Sequence, residues 1–508
     1  MNTRDLFRGA AEWVARHTLV DLDARPGFIS RAAAAGPGLA WTCSPATRPP
    51  ANAPGGVADT AQSIRQGETS ASEVVERALA RIHALDSRLR AFVVTLDARA
   101  RREAAILDAE ARAGRWRGPL HGVPVSIKDV IHVAGVPTTA SSRVLDDLVP
   151  IEDAAAVARL RAAGAIVVGK TETHEFALGV TTPQSRNPWD PTRIPGGSTG
   201  GSAIAVATGM APGALGTDTR ASIRVPAALS GVVGFKPTFG LVPTHGVVTL
   251  SWSMDHCAPM AGSVGDAALL LDVVAGRDPR DPNSVEQPVA SYRAWAGVPV
   301  GGLRVGVPAA TLEGAEPDVA RAFEVALDGL RSLDVSIEIL DEPSAGDLEM
   351  TSAAGMVVSR CEAATLHRRF LAERADRYTA ETLAQLDEAS RLPASLYLAA
   401  QRLREAFRLR MARLFERVHA LALPTTLVTA PRVEEADRFL LVLSRNCTPW
   451  SFIGVPAVSI PCGRSAGGLP IGLQLVAPAL EDVRLVALGS AVESLGLWKA
   501  ELATPGIS

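Results

Sequence analysis

The sequence predicts an α/β fold, and three observations carry that reading. The runs "GVPVSIKDVI" (residues 122–131) and "GAIVVGKT" (164–171) are short, β-branched and bounded by turn residues, so each reads as a strand. Between them "AAAVARLRAAG" has the spacing of a helix, the alternation expected of a sheet with crossover helices. Strand-like runs return near the other end, at "PAVSIPCG" and "PIGLQLVAP", so a single sheet would draw strands from both halves of the chain. With 47% hydrophobic and 21% charged residues over 508 positions, there is apolar surface enough for a large core.

The elements follow in order. Residues 4–17 alternate as one amphipathic helix. An Ala-, Pro- and Gly-rich stretch then reads as a linker ending near Gly56, which divides the chain into an extension at 1–56 and a main domain at 57–508. The next segment predicts two helices separated near Gly67, the second capped within Ser70 to Ser72. Beyond "GVVGFKPT" the pattern turns helical, first at "EPDVARAFEVALDGLRSL" and then from about Thr379 to Ala422. Pro393 interrupts the latter, because it cannot continue a helix without losing a hydrogen bond. No internal repeat is apparent.

Charge and cysteine usage narrow the function classes. Lys plus Arg number 51 against 54 Asp plus Glu, a formal charge of -3, which gives no reason to expect nucleic acid or an anionic membrane as a partner. The five cysteines (Cys43, Cys257, Cys361, Cys447, Cys462) are scattered and without CxxC spacing, which argues against a disulfide framework or zinc site and for a reducing cytoplasm. Neither a signal peptide, nor a transit peptide, nor an apolar run of about 18 residues is found, so a soluble protein is expected. The nine histidines lack HExxH spacing, "THEF" at Thr173 has no second histidine, and no metal is expected.

Two short motifs mislead. "GAIVVGKT" matches the phosphate-loop pattern, but its "AIVV" prefers a buried strand to a flexible cradle of N–H groups. "GGSTG" matches a nucleophile elbow at Ser198, with Asp255 and His256 as partners on paper, yet the proline-rich "RNPWDPTRIP" before it is a poor strand. A different constellation holds together. "GGSTGG", followed by Ser202, is too glycine-dense for ordinary structure and permits close backbone approach. The small apolar residues after it make that turn rigid.

The stretch "PGGSTGGSAIAVATGMAPGALGTDTRASIRVPAALSGVVGFKPT" resembles the signature of the amidase signature family. The likeness extends through "PLHGVPVSIKDVIHVAGVPTTASS", "GKTETHEFALGVTTPQSRNPWDPTRIPGG", "GLVPTHGVVTLSWSMDHCAPMAGSVGDAALLLD" and "TPWSFIGVPAVSIPCGRSAGGLPIGLQLVAP". It runs from about 57 to 497 and is weakest between roughly 300 and 420, where substrate-shaping residues are expected. The resemblance implies one large mixed β-sheet flanked by helices on both faces. It also implies a Ser–cis-Ser–Lys triad, with Ser222 as nucleophile, Ser198 as bridging serine and Lys128 as base. A serine hydroxyl is a poor nucleophile until a base takes its proton, and a lysine is that base only when neutral, which requires burial or a cationic neighbour. Backbone N–H groups of Thr219, Arg220, Ala221 and Ser222 would form the oxyanion hole, each donor worth roughly 3 kcal/mol in the transition state.

Where the family usually carries two glycines before the nucleophile, this chain has Arg220 and Ala221. Three readings stay open. Both residues have ordinary φ and Arg220 points away into a salt bridge; or Arg220 faces the pocket and binds a carboxylate or carbonyl of the substrate; or the hole is broken. Asp218 and Arg224 resemble a pair that braces this turn. Thr199 and Trp450 are candidate substrate contacts, and "NCTPWSF" (446–452) lines the acyl site by resemblance. The expected activity is hydrolysis of a non-peptide carbon–nitrogen amide bond of a small molecule, through a seryl acyl-enzyme and without a cofactor. The alternatives are a glutamine-hydrolysing subunit of a tRNA-dependent amidotransferase and a catalytically impaired binding homologue. A homodimer is the assembly that the resemblance suggests.

Overall fold

The structure is a computed structural model that describes residues 3–17, 39–41, 43–44, 55–286 and 291–499. Its strands are β1 (Phe92–Thr95), β2 (Pro124–Lys128), β3 (Ile166–Thr171), β4 (Gly213–Asp218), β5 (Val233–Lys236), β6 (His256–Ala261), β7 (Arg304–Pro308), β8 (Ser336–Leu340), β9 (Ala420–Pro424), β10 (Ala457–Arg464) and β11 (Pro470–Val476). They form one 11-stranded mixed sheet in the order β1-β3-β2-β4-β6-β5-β10-β11-β9-β7-β8. Every residue of β2, β3, β4, β9 and β11 is buried, which a strand achieves only when helices cover both faces of its sheet. Both strands predicted near Lys128 and Lys170 are present, parallel neighbours joined through the predicted helix Ala155–Ala162. The two halves of the chain meet where β10 pairs with β5, Val458 opposite Phe235.

Local chemistry explains several boundaries. The helix Val57–Gln66 ends at Gly67, whose φ of +74° a side chain would resist. The helix Ala71–Leu89 starts at Ser70 in a capping box with Glu73. Pro393 caps the helix Ala394–Leu414 and separates it from Ala380–Ser390, as the sequence predicts.

Two expectations need correction. The segment 300–420 is not uniformly helical: it contributes β7 and β8 at one edge of the sheet before the 29-residue helix Ala345–Glu373 begins. The helical reading up to Ala422 also overruns, because "ALALP" is β9, antiparallel to β11 and parallel to β7. A five-residue run of this kind, Ala and Leu alternating before a proline, is too short to fix its own conformation, and its partners in the sheet decide it.

The N-terminal amphipathic helix is Thr3–His17, which packs through Ala10 and Val14 against the helices Ala345–Glu373, Ala380–Ser390 and Ala394–Leu414. Of the expected linker, residues 18–38, 42 and 45–54 lie outside the described residues. The described part is held to the body: Leu39 donates its N–H to Phe415 O at 3.1 Å, and Trp41 packs on Trp295.

Candidate active site

β2 and β4 run parallel, Ile127 opposite Leu215, so their C-terminal ends bring Lys128 beside Thr217 and the turn after Asp218. The glycine-rich turn ahead of the helix Gly200–Ala207 arrives from one side. Close approach is what its glycines supply: a Cβ on Gly197 would lie 2.7 Å from Thr181 N, and one on Gly216 would overlap the Thr199 methyl. The Gly197–Ser198 peptide is cis. Thr199 N–H donates to Ser222 O at 3.2 Å, tying the glycine turn to the turn that carries Ser222.

Lys128 is fully buried, and its Nζ donates to Ser198 Oγ at 2.7 Å, Thr217 Oγ1 at 2.8 Å and Thr199 Oγ1 at 2.9 Å. All three partners are hydroxyls. With no carboxylate in contact, burial brings the Lys128 amine down from its ordinary value to about 7, against a weaker upward pull from the more distant Asp218 and Asp255. A lysine lowered so far from its ordinary value is available in its neutral form near neutral pH, so it can accept a proton. No hydrogen bond joins the Ser198 and Ser222 hydroxyls in this structure.

The turn bearing Ser222 is fixed from behind. Arg224 donates through Nε to Asp218 Oδ2 and through Nη2 to Asp218 Oδ1, both at 3.0 Å, with both side chains wholly buried. Asp218 Oδ2 also accepts from Ile223 N at 3.1 Å, while Arg224 Nη2 reaches Arg220 O at 2.9 Å. Residues 446–452 complete the brace, since Cys447 O and Ser451 Oγ both accept from Arg224. Burial alone would raise the Asp218 carboxyl; the charge and hydrogen bonds of Arg224 outweigh it and hold Asp218 well below the usual carboxylate range.

Neither Arg220 nor Ala221 takes the left-handed φ that would demand glycine. The N–H groups of Thr219, Arg220, Ala221 and Ser222 donate to no carbonyl or side chain among the described residues, so four donors are free at this turn. The Ala221 methyl is buried in an apolar cluster with Val225, Leu229, Leu443 and Cys447. The salt bridge expected of Arg220 in one reading is not formed: its side chain is buried, and Nε and Nη2 have no hydrogen-bond partner.

Other singled-out residues fall elsewhere. Thr199 spends its hydroxyl on Lys128 and on Thr217 O at 2.9 Å. Trp450 is fully buried against Phe407 in the main core, with ring centroids 6.4 Å apart. Asp255 accepts from Thr219 Oγ1 at 2.6 Å, and His256 lies between Asp218 O and Lys236, so neither bonds to Ser198 and the elbow reading gains no geometry. Lys170 pairs with Asp129 at 2.8 Å inside a buried strand, which removes the phosphate-loop reading. Among the described residues there is no cluster of three potential metal ligands, and no helix is long and apolar enough to cross a membrane. Sequence reasoning missed Thr217, although it stands inside "GTDT", and missed Arg360 on the long helix, for which no local signal exists.

Comparison with known proteins identifies the family of the chain. The Amidase family profile matches residues 73–486. An amidase of Pseudomonas putida is 39% identical over 87% of this chain and 96% of its own length. The A-type subunit of the glutamyl-tRNA(Gln) amidotransferase of Chloroflexus aurantiacus is 38% identical, over 86% of this chain and 96% of its own length. A solved structure from work on a vestigial protein complex and the evolutionary origins of an s-triazine catabolic enzyme superposes with a TM-score of 0.82 at 33% identity, covering 88% of this chain and 100% of that one. By sequence profile, by relatives and by fold, this chain belongs to the amidase family, the amidase signature enzymes.

Proposed function

We propose that this protein is a serine amidohydrolase in which Ser222 attacks a carboxamide carbonyl and ammonia or an amine leaves. Water then releases the acid from the seryl ester. Lys128, neutral, takes the Ser222 proton through Ser198 and returns it to the departing nitrogen. The free N–H groups of residues 219–222 stabilise the oxyanion. The single observation that supports this reading most is the buried Lys128 amine, in contact only with hydroxyls and brought to about 7.

For the substrate, the relatives lean toward the alternative rather than toward the small-molecule amide. Several are glutamyl-tRNA(Gln) amidotransferase subunits of the A type, which favours release of ammonia from glutamine for a partner protein. The Pseudomonas putida amidase supports the stand-alone reading, as does the departure at Arg220 and Ala221 from the usual glycines. Residues 1–56 we assign as an appendage to a single catalytic domain at 57–508, and the cytoplasm as compartment on the five free cysteines. The test is a fluorophosphonate adduct located by peptide mass spectrometry, followed by ammonia release from glutamine and from neutral amides. An adduct on Ser222 is expected; labelling at Ser198, or none while a control serine hydrolase reacts, overturns the assignment. Glutamine turnover only in the presence of a second protein would mark the amidotransferase reading, and turnover by the chain alone the other.

A further inference from the structure

Two buried arginines, one on the turn that carries the candidate nucleophile and one held on the segment behind the bridging serine, form no ion pair among the described residues. Arg220 is 8% exposed, two residues before Ser222, and its Nε and Nη2 meet no acceptor. Arg360, 6% exposed on the helix Ala345–Glu373, donates through Nε to Gln385 Oε1 at 2.8 Å and through Nη2 to Leu178 O at 3.1 Å. Both of its partners are neutral, and no carboxylate among the described residues forms an ion pair with either guanidinium. Leu178 lies in the segment that also carries His174, whose N–H donates to Ser198 O at 3.3 Å, while Thr199 N–H donates to Ser222 O at 3.2 Å, so both arginines are fixed to segments that meet at the two serines. Burial, and for Arg360 also the charge of Arg220, lowers Arg220 to about 10 and Arg360 to about 9. Glu381 pulls Arg360 the other way without pairing with it, standing 3.7 Å from His174 instead.

Neighbouring buried cations are compensated or discharged. Arg224 has Asp218, Lys170 has Asp129, and burial brings Lys236 down to about 7. A pair of unpaired guanidinium groups is costly to keep out of water, and an entering anion relieves that cost. Arg220 also departs from the family's usual glycine at this position, so the charge is added by this chain and lies on the turn that positions Ser222.

We infer that Arg220 and Arg360 form an anion subsite beside Ser222, and that the substrate is an amide carrying a carboxylate, held by the two guanidinium groups while its amide carbonyl meets the nucleophile. The inference rests on the amidohydrolase reading for the reaction but not for the binding. A planar guanidinium presents paired donors to a carboxylate, and Arg360 is already oriented by Gln385 and Leu178.

The test uses the monoamides of succinic and glutaric acid against butyramide and valeramide, their neutral counterparts of equal length. The full chain is expected to show kcat/KM at least tenfold higher for the acidic amides. Arg360→Gln should reduce that preference at least tenfold, mainly through KM, and Arg360→Lys should restore part of it. A merely structural role for Arg360 would lower both substrate classes together, and that result, or no acidic preference in the unaltered protein, overturns the inference. Glutarate binding by calorimetry reads the subsite without catalysis. The unaltered chain should bind it, and Arg360→Gln should bind it at least tenfold more weakly. If Ser222 is never labelled yet glutarate binds as described, the reaction assignment falls and the subsite stands; if labelling succeeds and glutarate does not bind, the subsite falls alone.

Discussion

Replacing Asp218 by Asn keeps the shape of the site and removes one charge from a wholly buried pair. Asp218 accepts from Arg224 Nε and Nη2, from Ile223 N and from Ser451 Oγ at 2.9 Å. The amide keeps one acceptor oxygen but leaves Arg224 as an uncompensated cation in the core, a change that costs roughly 3–5 kcal/mol. A chain of this length, at ~2.1 cal/mol/K of unfolding entropy per residue, has a total of about 1 kcal/mol/K, so the midpoint should fall by roughly 3–5 °C. Scanning calorimetry at pH 7 measures it, with Arg369→Ala as control. Arg369 pairs with Glu373 across an exposed helix face, so that loss should stay within about 0.5 kcal/mol. pH supplies a second check. Because the folded Asp218 carboxyl is held below its unfolded value of about 3.9, its contribution is fully present above that value and is lost as pH falls further. The gap between unaltered chain and variant should therefore be flat from about pH 8 to about 5 and narrow below about 4. A drop under about 1 °C, equal to the control, would refute the claim that this pair carries the turn.

Three further outcomes are expected. On the proposed mechanism Lys128 acts when neutral, and burial brings its amine to about 7, so kcat/KM should rise with pH through an apparent value near 7 and decline below it; a limb near 10 would show that burial does not depress the amine. Gly216→Ala would drive a Cβ into the Thr199 methyl and displace the hydroxyl that Lys128 uses; a stability loss of roughly 1–3 kcal/mol in a denaturant titration should accompany at least a tenfold fall in kcat. Ala221→Gly should cost about 1 kcal/mol by loss of a buried methyl and added chain freedom, with no gain in turnover, because the φ at this position is ordinary; faster turnover would mean that the Cβ distorts the oxyanion donors.

Much of the frame is legible in the sequence because it rests on short-range patterns. β2 and β3 are β-branched runs between turn residues, β10 and β11 are strand-like apolar runs, and the Ser70 capping box lies within four consecutive residues. β9 escapes such a reading because Ala and Leu suit either conformation and only pairing with β11 and β7 decides. Trp450 reads as a pocket residue by its neighbourhood, yet its ring is enclosed with Phe407.

At the site the same division holds. The residue types in "GGSTGG", "GTDTRAS" and "VSIKD" are sequence information, as are the order in which they come and the departure at Arg220 and Ala221. Whether Arg220 and Ala221 need a left-handed φ, which hydroxyls surround Lys128, and that Arg220 remains without a counter-ion depend on segments that meet only on folding. Lys128 and Thr217 are 89 positions apart, and Arg360 reaches Leu178 across 182. A pKa and an unpaired charge are set by what lies within a few ångströms in space, a property that the order of residues does not contain until the sheet has closed.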